Sequence, residues 1–254
     1  MRVSLFITCL VDALYPQVGV SMVRVLRRLG AEVDLPEGQT CCGQPAFNSG
    51  YWSEARKVGD TLLEAFAASE VVVTPSGSCA GMIRHSFAQL YAGDERRLKE
   101  AARLQKKTYE FCQFLVDVLG TVDLGAVYPQ KATYHPSCHA SRLLGVRDAP
   151  RLLLQQVRGL ELTDLPYEQD CCGFGGTFAV KMGAISSAIV EEKARHAAET
   201  GADLLVGTDM GCLMNIQGRL ERRGTPMNVM HVAELLDRGV EQTDTGDKCT
   251  KVQN

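Results

Sequence analysis

Short runs of valine and leucine alternate along the chain with longer amphipathic stretches. The brief apolar runs predict buried strands at residues 3–7, 71–73, 132–134 and 204–206. Apolar residues that recur at helical spacing predict helices at residues 19–29, 53–68, 99–119, 185–199 and 229–236. Strands that alternate with helices in this way are typical of an α/β layer structure, so we expect helices to cover a mainly parallel sheet.

The chain also contains a long internal repeat. The tripeptide Cys-Cys-Gly occurs at residues 41–43 and again, about 130 residues later, at residues 171–173. A single cysteine precedes each pair and another follows it, at nearly equal intervals in the two copies. The spacing indicates duplication of a half-domain. We therefore expect two Rossmann-like α/β halves related by pseudo-twofold symmetry, at residues 1–125 and 126–240, followed by a disordered polar tail at 241–254.

The single cysteines of the repeat are Cys9, Cys79, Cys138 and Cys212, and each one follows a predicted strand within a few residues. Ligands in open α/β sheets collect at the carboxyl ends of the strands. We therefore expect these four thiols to lie at that edge of the sheets.

Composition places the chain among globular proteins. It has 254 residues, 45% of them hydrophobic, and a formal net charge of −3. The acidic excess and the lack of a basic run argue against nucleic acid as a partner. The apolar runs are too short for a transmembrane segment, and Asp12 follows the apolar start without a cleavage site for a signal peptide. Ten cysteines are too few for a secreted disulfide scaffold, so we expect a cytoplasmic protein.

Four thiolates converging from separate loops form the kind of donor set that binds soft metals or iron-sulfur clusters. Adjacent side chains point apart, so each vicinal pair fits a multi-iron cluster or two metals better than one tetrahedral ion. The glycine after each pair lets the backbone approach closely. The candidate cofactor and metal ligands are Cys9, Cys41, Cys42, Cys79, Cys138, Cys171, Cys172 and Cys212. The sequence assigns no catalytic residue.

Other interpretations of these residues stay open. The vicinal pairs could instead be redox-active dithiols that form strained disulfides. His135 and His139 flank Cys138 and are either loop histidines with backbone partners or groups that tune a cluster by hydrogen bonding. Cys112 lies on an apolar helix face, where a buried filler is expected, and Cys249 falls in the polar tail.

Several segments of the chain resemble the cysteine-rich CCG-domain iron-sulfur proteins. This family includes the cysteine-rich subunit of heterodisulfide reductase and iron-sulfur subunits of glycolate and glycerol-3-phosphate oxidation systems. The resemblance is greatest to its lactate utilization group. The segments that carry it are TCLVDALYPQVG, LPEGQTCCGQPAFNSGY, TPSGSCAGMIRH, YHPSCHASR, CCGFGGTFAVKMG and TDMGCLMNIQGRLERRG.

The resemblance implies an oxidoreductase subunit of a cytoplasmic system that oxidises L-lactate to pyruvate. It also implies two partners, a ferredoxin-like iron-sulfur subunit and a third subunit. The implied cofactor is one or two iron-sulfur clusters, most simply 4Fe-4S, and members of the wider family can carry zinc in one half.

One departure from the family pattern affects the cofactor. The general pattern ends in Cys-x-x-Cys, which gives five thiolates per half and in heterodisulfide reductase holds a non-cubane cluster. Here Ser76 and Asp209 occupy the first position of that final pair. Four thiolates per half fit a conventional cubane, or a cluster to which Ser76 or Asp209 supplies an oxygen.

Three functions therefore remain for testing. The leading one is an iron-sulfur electron-transfer subunit of a lactate-oxidising system. The second is a zinc-stapled scaffold subunit of the same complex, which would carry no electrons because zinc has no redox chemistry. The third is a thiol-disulfide reductase of the heterodisulfide type.

Overall fold

The structure, a computed structural model, describes residues 1–244. Its strands are β1 (Arg2–Leu5), β2 (Glu32–Asp34), β3 (Val72–Thr74), β4 (Thr108–Glu110), β5 (Val127–His135), β6 (Arg158–Thr163), β7 (Leu204–Gly207) and β8 (Asn228–His231). Its α-helices are α1 (Cys9–Leu14), α2 (Pro16–Arg28), α3 (Gln44–Asn48), α4 (Trp52–Ala65), α5 (Gly77–Gly81), α6 (Phe87–Leu90), α7 (Glu95–Lys107), α8 (Phe111–Gln113), α9 (Asp148–Gln155), α10 (Thr177–Lys181), α11 (Gly183–Glu199), α12 (Met210–Arg222) and α13 (Val232–Asp244). Short π-helical turns cover Met82–Ser86, Phe114–Val118 and His139–Leu143.

The strands form two parallel four-stranded sheets of the same topology. The strand order is β2-β1-β3-β4 in the first sheet and β6-β5-β7-β8 in the second. The central strands are buried on both faces, as parallel strands are when helices cover both sides of a sheet. The expected fold, two similar α/β halves, is confirmed.

The four strands predicted from sequence are the two central strands of each sheet, β1, β3, β5 and β7. The first ends at Leu5, two residues earlier than predicted, and β5 begins at Val127, five residues earlier than predicted. The outer strands β2, β4, β6 and β8 were not predicted. Two of them, β2 and β4, have three residues each, which is too short to show a strand period.

Two predicted helices are wrong in part. The single helix expected at residues 99–119 is α7, then strand β4, then α8 and a π-helical turn. The helix expected at 229–236 begins only at Val232, because residues before it form β8. In both places a few residues pair with a neighbouring strand of the sheet, and that tertiary pairing overrides the local helical pattern.

The last helix extends further than the sequence indicates. It runs to Asp244, so its final turn includes the first residues of the predicted tail. The remainder of that tail, residues 245–254 with Cys249, lies outside the described residues.

One hydrophobic core joins the two halves. It includes Val3 and Leu5 of β1 together with Leu205 and Val206 of β7. Cys112 is completely buried in the same core, in agreement with the expected role as an apolar filler. The halves therefore fold as parts of one packed unit.

Ion pairs and close backbone contacts reinforce this junction. Asp237 of α13 is 1% exposed and accepts from Arg28 of α2 at 2.7 Å, while Arg24 lies 3.4 Å from its other oxygen. Gly77 of α5 lies against Ala140 of the second half, where a Cβ on Gly77 would approach the Ala140 nitrogen to 2.8 Å. Such a distance leaves no space for any side chain at position 77.

Replacement of Gly77 by alanine should destabilise the protein by about 2 kcal/mol, because the added methyl group would force the halves apart. Gly218→Ala is the control. Gly218 lies within α12 with open space at its Cβ position, so alanine there should stabilise by up to about 1 kcal/mol through helix propensity. Urea unfolding of both variants measures the difference, and equal stabilities would contradict the close packing of the halves at Gly77.

Glu110 at the end of β4 provides a pH-dependent prediction. Burial raises the pKa of its carboxyl group to about 7 from an ordinary value of 4.5. The folded protein therefore holds this proton more tightly than the unfolded chain. The resulting stability is fully present below about pH 4.5 and is lost as the pH rises through about 7.

Glu110→Gln removes this titration and keeps an oxygen that can accept from the Gln113 amide. We expect the variant to exceed the wild type in stability at about pH 8 by about 2 kcal/mol, with a smaller or reversed difference at about pH 4.5. Urea unfolding across this pH range measures the effect. The same difference at both ends would show that Glu110 does not titrate in this range.

Candidate metal centre

The single cysteines lie where the chain leaves the central strands. Cys9 and Cys79 follow β1 and β3, which are neighbours in the first sheet, and Cys138 and Cys212 follow β5 and β7 in the second. In flavodoxin-like sheets with this strand order, the topological switch point lies between the two central strands, and a crevice opens there. The predicted placement at the carboxyl edge of the sheets is thus what the structure shows.

A left-handed glycine follows each vicinal pair. Gly43 has φ 82° and Gly173 has φ 81°, values that L side chains rarely adopt. The amide of Gly43 donates to Cys41 Sγ at 3.4 Å, and the amide of Gly173 donates to Cys171 Sγ at 3.2 Å. The glycines therefore turn a backbone N–H onto the sulfur as well as removing a side chain.

The thiols of each half form a chain of contacts. In the first half Cys9 Sγ lies 3.7 Å from Cys41 Sγ, and Cys42 contacts both Cys41 and Cys79. The first quartet is therefore Cys9, Cys41, Cys42 and Cys79. The second quartet repeats the pattern, from Cys138 to Cys171 to Cys172 to Cys212. All cysteines that the structure describes are free thiols.

Each quartet contains one strongly acidic thiol beside thiols that resist ionisation. Hydrogen bonds from neighbouring thiols lower the pKa of Cys41 to about 3 and that of Cys171 to about 2. Hydrogen bonding to the adjacent thiol, with burial, raises the pKa of Cys9, Cys42 and Cys172 above the ordinary range. Four thiolates at this spacing repel one another, so full ionisation of a quartet requires a cation among the sulfurs.

Both quartets line the same cleft. It has a volume of about 990 Å³, including space open to solvent, and all eight predicted cysteines border it. Cys9 and Cys171 are exposed, whereas Cys42 and Cys172 are 2% exposed at its floor. The duplication therefore places two sulfur-rich sites on one cleft.

Ser76 and Asp209 lie at the junction of the halves and bridge to each other through the backbone. The Asp209 Oδ2 atom accepts from Ser76 Oγ at 2.8 Å and from Ser78 Oγ at 2.8 Å. Its Oδ1 atom accepts from the Gly211 amide at 3.0 Å. Contact between equivalent residues is expected on a twofold axis. The oxygens considered as cluster ligands are thus engaged in joining the halves.

The histidines near the second quartet differ in their surroundings. His135 is 1% exposed, and neither of its ring nitrogens has a hydrogen-bond partner among the described residues. One of its nitrogens lies within 4.8 Å of the sulfurs of Cys172 and Cys212, and burial lowers its pKa to about 3. His139 borders the cleft. His231 is buried, and its Nε2 lies 3.1 Å from the Pro75 carbonyl oxygen, which indicates a structural role.

Sequence reasoning missed Lys193. This lysine of α11 is 1% exposed, and its Nζ donates to the carbonyl oxygens of Tyr167 and Glu168 in the segment that leads to the second pair. Burial lowers its pKa, while the nearby thiols act in the opposite direction. The sequence feature that could have identified Lys193 is its position on the inner, otherwise apolar face of a predicted helix.

The described helices include none that is long and apolar enough to span a bilayer.

The two halves match a family model described as "Cysteine-rich domain" (CCG), over residues 3–84 and 132–217. The fold and the site therefore define a protein with two cysteine-rich domains. Each matched segment contains one complete quartet.

Whole-chain relatives specify the family further. Lactate utilization protein A 1 from Bacillus mycoides (strain KBAB4) is 55% identical over 95% of this chain and 99% of its own length. Lactate utilization protein A 2 from Bacillus cereus (strain 03BB102) is 52% identical over 95% of this chain and 100% of its own. The chain belongs to the lactate utilization protein A family. Among solved structures, a glutamate racemase from Thermus thermophilus is 10% identical, covering 100% of this chain and 83% of that one with a TM-score of 0.32.

Asp209→Ala should destabilise the protein by about 3 kcal/mol, because it leaves buried hydroxyl and amide donors of both halves without an acceptor. Asp94→Ala is the matched control. Asp94 also caps a helix by accepting from a backbone amide, but it is exposed and serves a single half, so about 1 kcal/mol is expected. Chemical denaturation compares the two, and an equally small loss at Asp209 would refute its role at the junction.

Proposed function

We propose that this chain is the iron-sulfur electron-transfer subunit of a system that oxidises L-lactate to pyruvate. The observation that carries the proposal is the pair of cysteine quartets at equivalent positions of the two halves. The names of the relatives, which refer to lactate utilization, supply the substrate. Conversion of lactate to pyruvate releases two electrons and two protons, and two one-electron centres would accept both electrons.

The residues present fit such a cofactor. Cys9, Cys41, Cys42 and Cys79 would hold one cluster, and the second quartet would hold the other. Thiolates are the usual ligands of iron-sulfur clusters, and iron cations would relieve the repulsion among the four thiolates of each quartet. When bound, the clusters supply one-electron transfer. The chain would exclude water from the buried Cys42 and Cys172 and leave Cys9 and Cys171 accessible at the surface.

The one-electron chemistry of the clusters implies partner subunits. Lactate gives up two electrons, whereas clusters transfer them singly, so we propose that another subunit binds and oxidises lactate. A ferredoxin-like iron-sulfur subunit and a third subunit would complete the system. Exposed Cys9 and Cys171 border the open side of the cleft, where electrons would enter or leave. A cytoplasmic location fits the free thiols of the quartets.

A zinc scaffold is the second candidate, favoured by one observation. His135, Cys172 and Cys212 place a nitrogen and two sulfurs within 4.8 Å of one another, a donor set that zinc also accepts.

A thiol-disulfide enzyme is the third candidate, and the acidic, exposed thiol of Cys171 would suit it. Metal analysis separates the first two candidates, and disulfide reduction by the metal-free protein would support the third.

Protein purified without oxygen should be brown and contain iron together with acid-labile sulfide. Cys42→Ala and Cys172→Ala each remove a buried thiol from one quartet, so each should lose about half of the iron, and the double variant nearly all of it. Elemental analysis and the visible spectrum measure this loss. Cys112→Ala is the matched control, because Cys112 is equally buried but does not border the cleft.

The control should retain its full iron content. Colourless protein without iron after anaerobic reconstitution would refute the electron-transfer role. Zinc in both halves would support the scaffold instead.

A further inference from the structure

The surroundings of the two quartets differ at the end of the first central strand. Phe6 lies three residues before Cys9, and His135 lies three residues before Cys138, so the two occupy equivalent positions. Phe6 is completely buried and packs edge-on against Phe66, with ring centroids 5.7 Å apart. A polar ring with no hydrogen-bond partner in the described chain thus replaces an apolar ring beside the second quartet.

A second difference lies in the helix beneath each vicinal pair. Ala55 of α4 lies nearest the Cβ position of the first pair's glycine, and Ser186 of α11 lies nearest that of the second. Two helical turns further along, the equivalent residues are Leu62 and Lys193. Leu62 is completely buried. An ammonium group therefore replaces a buried leucine.

The charge of Lys193 acts on the second quartet. The carbonyl oxygens of Tyr167 and Glu168, four and three residues before Cys171, hold its Nζ, and its side chain is almost completely screened from solvent. The thiols of Cys138, Cys171 and Cys172 in turn act to raise the pKa of Lys193, as expected of thiolates near a cation. Asp170 opposes this charge but is exposed, so water weakens its effect. Arg142 adds a second positive charge near Cys138.

Both features act on a cluster in the same direction. A reduced cluster carries one more negative charge than the oxidised form, and nearby cations or N–H donors to sulfur stabilise that charge. The first quartet has Phe6 and Leu62 at the equivalent positions, and neither can do this. The identical ligand sets therefore lie in unequal electrostatic environments.

We propose that the centre held by the second quartet has the higher reduction potential, so that electrons pass from the first half to the second and are held there. The inference rests on the proposed function, because it requires a redox-active centre in each half. In this inference Lys193 supplies a positive charge near the second centre, and His135 supplies an N–H donor to it.

The test is a redox titration of the anaerobic full-length protein, followed by electron paramagnetic resonance. Cys172→Ala retains only the first centre and Cys42→Ala only the second, which assigns the signals. We expect the second centre to be reduced first. Lys193→Gln removes the charge but keeps an amide donor, and His135→Phe copies the first half. Each should lower the ratio of reduced to oxidised second centre at least tenfold, about 59 mV for one electron.

Lys107→Gln is the matched control. The Nζ of Lys107 also donates to loop carbonyl oxygens, those of Phe66 and Ser69. Burial alone lowers the pKa of Lys107, with no contribution from a cysteine, whereas three thiols of the second quartet act on Lys193. This variant should leave both potentials unchanged. The potential of the first centre should also be unchanged in Lys193→Gln and His135→Phe. If either variant fails to fold, the other still tests the inference.

Two centres of equal potential, or a lower potential for the second, would overturn the inference while leaving the electron-transfer role intact. The same holds for a single centre, or for variants of Lys193 and His135 that leave the second potential unchanged. Absence of iron from the wild-type protein would overturn the proposed function and the inference with it.

Discussion

Repulsion between crowded sulfurs is the constraint on which this structure depends. Each half brings four thiols into contact, and the acidity of one is raised while its neighbours resist ionisation. Such an arrangement has little value for packing alone, because buried cysteines that only fill space do not need to touch one another. When ionised, each quartet is an anionic cage of the donor type that binds soft metals.

The fold holds this cage by its topology. Parallel strands deliver their carboxyl ends to one edge of a sheet, and the order of the strands opens a crevice between the two central ones. Glycines after the vicinal pairs let the backbone turn onto the sulfurs, while Asp209 and Gly77 fix how closely the halves approach. The positions of the cysteines therefore depend on residues outside the two quartets.

Duplication has given two equal sets of cysteines but unequal surroundings. The cysteines, their glycines and the strand order are the same in both halves. The buried residues behind them have diverged, with Phe6 and Leu62 on one side and His135 and Lys193 on the other. In such an arrangement the cysteines determine whether a cofactor binds. The neighbouring charges determine the reduction potential of the bound cofactor.

The sequence by itself determined the α/β class, the duplication, the central strands and the eight cysteines as one group, because these depend on local pattern and on spacing that occurs twice. It could not locate the short outer strands, since three residues such as Thr108–Glu110 become a strand only by pairing with β3. Nor could it show that Asp209 accepts from the other half, or that both quartets share one cleft. Those features arise from contacts between residues far apart in the chain, and only tertiary packing brings them together.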